Sequence, residues 1–199
     1  MSTTQAGAPV LQVIIASTRP GRAGLPVGQW IAEHAGKRGD FEVEIVDLAE
    51  LNLPLYDEPT HPRARRYTHT HTQRFSEIID LADAFVIVGP EYNHSFNAAL
   101  KNALDYLFHE WAHKPVGLVN YGGIAAGARA AQALKPVLNA LYMTPVPESV
   151  LIPLVQTFLD GEEAERRFVP NTEIETGADL MLGALADRIQ VSRLERSAS

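Results

Sequence analysis

Three short segments of this chain combine residue types able to hold an anion and a planar ring. Ser17-Thr18-Arg19 stands between an apolar run and a helical pattern whose first turn suits Pro26. Two hydroxyls, free N–H groups at the positive end of a helix dipole and a guanidinium able to fork onto two oxygens together suit a phosphate. The competing reading leaves Ser17 and Thr18 as helix caps and Arg19 and Arg22 in solvent. Neither the Walker spacing nor the three-glycine dinucleotide pattern is present to decide between them. Pro90-Glu91-Tyr92-Asn93-His94-Ser95 offers a stiff backbone, an aromatic face and amide groups on which a planar heterocycle could lie. The same residues would serve as packing at a strand end, with Asn93 or Ser95 capping the next helix. Tyr121-Gly122-Gly123, with Gly127, lets the backbone approach a ligand closely or simply turns the chain.

Each segment follows a strand and precedes a helix in the hydropathy pattern. Val10–Ile15, residues 84–88 and residues 115–120 are short, nearly continuous apolar runs, the pattern of strands buried on both faces. Residues 41–46 alternate, which predicts an edge strand with one wet face. Between them, Val27, Trp30, Ile31, His34 and Ala35 trace one helix face, and Phe75, Ile78, Ile79 and Ala82 another. Phe96, Ala99, Leu100, Ala103, Leu104, Leu107, Phe108 and Trp111 predict a helix of about four turns. Ala131, Leu134, Leu138 and Leu141 predict a helix that Pro136 should kink or break. Residues 146–152 form the last strand, weakened by Pro145, Pro147 and Pro153. Residues 160–167 read as a solvated charged stretch and residues 180–189 as a closing helix. Residues 51–72, with three prolines and three histidines, read as a long loop.

Strand and helix alternate throughout, which predicts an α/β, doubly wound, five-stranded parallel sheet with helices on both faces. In the order 2-1-3-4-5 the wet strand lies at the edge, and the loops after strands 1, 3 and 4 converge at the switch point between strands 1 and 3. With no internal repeat or composition shift, residues 10–199 read as a single domain behind a disordered leader, 1–9.

The 199 residues carry 17 basic and 24 acidic side chains, a net charge of −7, and no cysteine. Thiolate metal sites, disulfides and cysteine nucleophiles are excluded. An acidic chain argues against nonspecific binding to nucleic acid or an anionic membrane and favours a small-molecule partner. No apolar stretch reaches membrane-spanning length and no secretory signal opens the chain, so a cytoplasmic protein is expected. His61, His69 and His71 have no carboxylate at ligand spacing and no rigid frame, though His69 and His71 would share one side of an extended segment, so no metal is assigned. Glu110, with His109 and His113, reads as surface or subunit contact, and Lys101 and Asn102 as outward-facing.

Taken together, Ser17-Thr18-Arg19, the run from Pro90 to Ser95 followed by Leu100-Lys101-Asn102-Ala103-Leu104-Asp105, and Tyr121-Gly122-Gly123 with Gly127 and Arg129-Ala130 resemble the NADPH-dependent FMN reductases. That flavodoxin-like family includes quinone, azo-dye and chromate reductases. The resemblance implies that Ser17, Arg19 and the backbone at Gly24, Pro26 and Val27 hold the FMN phosphate. It implies that Pro90, Glu91, Tyr92 and Asn93 line one edge of the isoalloxazine, with Tyr121, Gly122 and Gly123 near its other side. It further implies a homodimer, or a tetramer, with the flavin close to the subunit interface. NADPH or NADH would deliver hydride to N5 of bound FMN and be replaced by a quinone, free flavin or similar acceptor, with no catalytic acid or base and with Asn93 among the groups orienting N5. A flavodoxin-type electron carrier and a non-enzymatic flavin-binding protein are the alternatives. Two departures bear on the site. Ala16 stands where the family often has glycine, and Ala126 replaces a glycine of the third loop, each adding a methyl group beside the expected flavin path.

Overall fold

The strands β1 (Val10–Ile15), β2 (Glu42–Asp47), β3 (Ala84–Pro90), β4 (Pro115–Tyr121) and β5 (Thr144–Ile152) form one parallel sheet in the order β2-β1-β3-β4-β5. The computed structural model describes residues 7–162 and 165–197, so residues 1–6 of the expected leader lie outside the described residues. Pro9 is already tied to the sheet, its carbonyl accepting the Glu42 N–H at 2.9 Å.

Strict alternation operates inside the apolar runs. In β3, Ala84, Val86 and Val88 pack on one face and Phe85 and Ile87 on the other. The first face is covered by α1 (Gly24–Arg38), through Val27, Ile31 and Ala35, and by α6 (Thr172–Ser197), through Ala178, Met181, Leu182, Leu185 and Ile189. Between these helices in sequence come a four-residue helix, α2 (Leu48–Leu51), and then α3 (Thr70–Asp80), α4 (Ala98–Tyr106) and α5 (Ala128–Ala140). The last three cover the opposite face with Phe75, Ile79, Leu100, Leu104, Leu134 and Leu138. β2 is the wet edge, with Ile45 47% exposed.

Four elements differ from expectation. The helix after β3 stops at Tyr106, where Leu107 is extended, so Leu107, Phe108 and Trp111 are buried from a series of turns rather than from one helix face. The spacing misleads because Trp111 is required by its partners, Phe75 and Phe85, with ring centroids 6.0 and 5.1 Å away. Its loss to alanine would cost about 3–5 kcal/mol. Second, α5 runs unbroken through Pro136. Pro136 is exposed, as is Gln132 one turn earlier, whose carbonyl loses its helical partner, so water replaces the missing donor. Third, β5 accommodates Pro145 and Pro147 because it is an edge strand whose register against β4 shifts between Val116 and Leu118. Fourth, the charged stretch forms a short antiparallel hairpin of β6 (Leu159–Asp160) and β7 (Arg167–Phe168), anchored by Phe168 against Trp30 of α1 at 5.0 Å.

Candidate functional site

The first loop, between β1 and α1, is built around Ser17. Its side chain is fully buried, and its Oγ has no hydrogen bond of normal geometry among the described residues. The Tyr121 hydroxyl lies beside it; burial pushes that phenol up to about 12, against the opposing pull of Ser17 and of Arg22. Neither Ser17 nor Thr18 caps α1. The N-cap position is Ala23, with no side-chain cap and no acidic residue in the first turn. The N–H of Val27 already bonds Ala23 at 3.3 Å, and Pro26 has none to give, which leaves Gly24 and Leu25 as the first-turn donors. A buried hydroxyl without a partner beside an uncapped helix N-terminus is an anion cradle in waiting.

Arg22 is not in solvent. Its guanidinium forks onto Asp47 at the end of β2 and bonds the Ser17 carbonyl at 2.6 Å. The pair is nearly buried, at 13% and 3% side-chain exposure, and ties the loop to the neighbouring strand. Sequence reasoning missed it because nothing in residues 17–22 announces a partner in β2. Arg19 is exposed and free to engage a ligand.

The second loop turns tightly: Tyr92 and Ser95 exchange backbone hydrogen bonds of 2.9 and 3.0 Å, with Asn93 and His94 at φ 49° and 69°. Two positive φ values in succession are the pattern of a type I′ turn, a conformation that costs His94 about 1–2 kcal/mol. The third loop is braced by Gly127, at φ 82°, where an added Cβ would fall 2.7 Å from both Asn120 Cβ and the Tyr121 nitrogen. Glu91 joins the two loops. Its carboxylate accepts the Arg129 backbone N–H at 3.2 Å and Nε at 2.6 Å, so a residue of loop two caps the N-terminus of α5. Asn97 and Asn120 complete the frame by donating to the carbonyls of Ala16 at 2.7 Å and Gly89 at 3.3 Å.

A cavity of about 410 Å³ lies among these loops at the carboxyl end of the sheet. Arg19, Arg22 and Ala23 line it from the first loop, Pro90, Glu91 and Tyr92 from the second, and Tyr121, Gly122 and Gly123 from the third. A fourth wall, Leu154, Val155, Gln156 and Thr157, was not foreseen from sequence. It is held there by the N–H groups of Leu154 and Val155, which bond the carbonyls of Gly123 and Gly122 at 3.0 and 3.3 Å. Asn93 is at the exposed tip of its turn and does not line the cavity. Ser17, Gly24, Pro26 and Val27 are buried behind it in the loop and first helical turn. The methyl of Ala16 packs in the core with Ile14 and Ile87. Ala126, at φ 56°, is also off the cavity wall, so its methyl bears on the backbone turn and not on the cavity.

Outside this cavity, Glu110 contradicts the surface reading: it is fully buried, accepting from Ser76 at 2.6 Å and from Tyr67 at 3.0 Å, with Arg65 at 3.3 Å. It anchors the 52–69 segment to α3. Asn102 does not point idly outward either, since it bonds Pro54 and Tyr56 of that segment at 2.7 and 2.9 Å. His69 and His71 lie at the start of α3 rather than on an extended strand, with rings stacked at 5.2 Å. His71 pairs with Asp57 at 3.0 Å. Among the described residues no three metal-ligating side chains converge, and no helix is long and apolar enough to cross a membrane.

Known proteins resemble this chain in sequence and in fold. A family model described as NADPH-dependent FMN reductase matches residues 10–157. An NAD(P)H-dependent FMN reductase of Schizosaccharomyces pombe is 40% identical over 141 residues, covering 70% of each chain. An NADPH azoreductase of a Bacillus species is 34% identical over 127 residues, 63% of this chain and 68% of its own. Among solved structures, the flavoenzyme NAD(P)H:(acceptor) oxidoreductase of Paracoccus denitrificans superposes with a TM-score of 0.71 at 19% identity, covering 92% of this chain and 98% of that one.

Proposed function

Since this chain belongs to the NADPH-dependent FMN reductase family, we propose that the cavity between the three loops holds FMN and that the protein reduces a quinone, free flavin or similar small acceptor with NAD(P)H. The observation that carries this reading is the buried Ser17 hydroxyl, unpartnered beside an α1 N-terminus that no side chain caps. The residues fit a phosphate-bearing planar group. Gly24 lets the first turn of α1 pack directly against the Ser17 and Tyr121 hydroxyls, which an added Cβ would meet at 2.1 and 2.6 Å. The cavity volume of about 410 Å³ is in the ordinary range for ligand sites.

The chemistry FMN supplies when bound is two-electron transfer between NAD(P)H and an acceptor. The chain's own part is placement. Ser17 Oγ, the N–H groups of Gly24 and Leu25 and the Arg19 guanidinium hold the phosphate. Pro90 and Tyr92 would wall one side of the ring, and Tyr121, Gly122 and Gly123 the other, since these residues line the cavity. The Glu91–Arg129 pair sets the distance between those walls. Leu154 and Val155 supply an apolar wall at the far end. Asn93, on its rigid turn, is the amide available to a group entering from solvent, and no side chain acts as acid or base. The reading extends to a single-domain homodimer working in the cytoplasm, to be checked by sedimentation and by fractionation.

The test is the visible spectrum of the purified protein after FMN is added and the free excess removed, repeated without oxygen after NADPH. Retained flavin bands that bleach are expected. Retained bands that NADPH does not bleach would make the protein a carrier, and absence of retained flavin would end the flavin reading.

A further inference from the structure

A second concavity, of about 380 Å³, opens on the other side of the first loop, between that loop, the first turn of α1 and the β6–β7 hairpin. Three guanidinium groups line it, those of Arg19, Arg22 and Arg166, and among the described residues no carboxylate does. Arg22 is neutralised by Asp47. Arg19 has no hydrogen bond or ion pair among the described residues, and Arg166 only donates to the Gly21 carbonyl at 3.3 Å. In a chain of net charge −7, and with Arg19 engaged by the flavin phosphate, Arg166 is the guanidinium on this concave wall left without a counter-charge among the described residues, and a second phosphate would supply one. Arg19 and Arg22 line both cavities, so the two adjoin across the first loop.

Resting on the flavin reading above, we propose that this concavity receives the 2′-phosphate of NADPH and that Arg166 is the residue that separates NADPH from NADH. The nicotinamide must reach the first cavity for electron transfer. The adenosine end is then the part of the donor left to reach a second anion site, and NADH carries only a hydroxyl where NADPH carries a phosphate. A bidentate guanidinium suits that phosphate and gains nothing from the hydroxyl. Arg166 lies beyond the family-matched residues 10–157, on a hairpin whose anchor is Phe168 against Trp30.

The experiment is a calorimetric titration of adenosine 2′,5′-bisphosphate against adenosine 5′-phosphate, together with kcat/KM for NADPH and NADH, in the wild-type protein and in Arg166→Ala and Arg166→Lys. Wild type is expected to bind the bisphosphate on the order of tenfold more tightly than the monophosphate. Arg166→Ala should erase that difference and lower the NADPH-to-NADH ratio of kcat/KM by a similar factor, while Arg166→Lys, retaining the charge without the fork, restores part of it. Equal binding of the two nucleotides in wild type, or a preference that survives Arg166→Ala, overturns the inference. A loss of retained FMN in Arg166→Ala also overturns it, because the concavity would then belong to the flavin phosphate. The titration needs no bound flavin, so failure of the flavin reading itself shows separately, in the absorption spectrum.

Discussion

Replacing Gly24 with alanine adds one methyl group at the point where α1, the first loop and β4 meet. The new Cβ would lie 2.1 Å from Ser17 Oγ, 2.6 Å from the Tyr121 hydroxyl and 3.3 Å from Ser17 Cβ. All three neighbours belong to residues with at most 5% exposure, so none can swing into solvent. Overpacking of this kind costs about 1–3 kcal/mol, and the helix preference of alanine over glycine returns less than about 1 kcal/mol in a first turn. The net loss is about 1–2 kcal/mol, which for a chain of this length lowers Tm by about 2–8 °C. FMN affinity should fall by at least about tenfold, since the hydroxyl that must shift is the one assigned to the phosphate. Gly36→Ala is the control. It lies in the same helix with no neighbour within 4 Å of its added Cβ, and is expected to stabilise by about 0.5–1 kcal/mol with no change in flavin retention. The measurements are thermal melts and FMN titration by fluorescence. A Gly24→Ala protein that melts and binds FMN like wild type would refute the cradle.

Other perturbations separate binding from stability. Ser17→Ala removes a buried hydroxyl that adjoins the Tyr121 hydroxyl without a hydrogen bond of normal geometry, so urea unfolding should show little change in stability while FMN binds about tenfold more weakly. Glu91→Gln weakens the link between loops two and three, where the Glu91 side chain is 7% and Arg129 49% exposed. A loss of about 1–2 kcal/mol in urea unfolding is expected, with weaker FMN retention. Burial raises the Asp57 pKa, but hydrogen bonds from His71 and Tyr106 more than offset it and hold the carboxyl below its ordinary value. Its contribution to anchoring the 52–61 segment is therefore present above the usual carboxylate range and lost as pH falls below it. Limited proteolysis should show cleavage in that segment appearing only below the ordinary carboxylate range in wild type and already at neutral pH in Asp57→Asn, and matching patterns for the two proteins would contradict the pairing.

The amino-acid order alone determined the sheet. Continuous apolar runs at 10–15, 84–88 and 115–120, an alternating run at 41–46 and helical spacing between them fit the 2-1-3-4-5 winding, because a buried parallel strand and a wet edge strand bury different fractions of their side chains. It also located the three loops, since turn chemistry is local and Ser17-Thr18-Arg19, Pro90 to Ser95 and Tyr121-Gly122-Gly123 each stand where a strand must end. Local spacing was not enough where a distant partner decides. Trp111 continues a helical rhythm, yet is buried by Phe75 and Phe85 after α4 has ended. Arg22 and Glu110 look like solvated charges until Asp47 in one case, and Ser76, Tyr67 and Arg65 in the other, are brought to them. The fourth wall at residues 154–157 and the approach of Arg166 to Gly21 likewise exist only in the folded chain. Hydropathy period records which way a side chain faces, a property of its own element. The partner it meets depends on chain crossings tens of residues away, and those pairings set the charge, depth and width of the site.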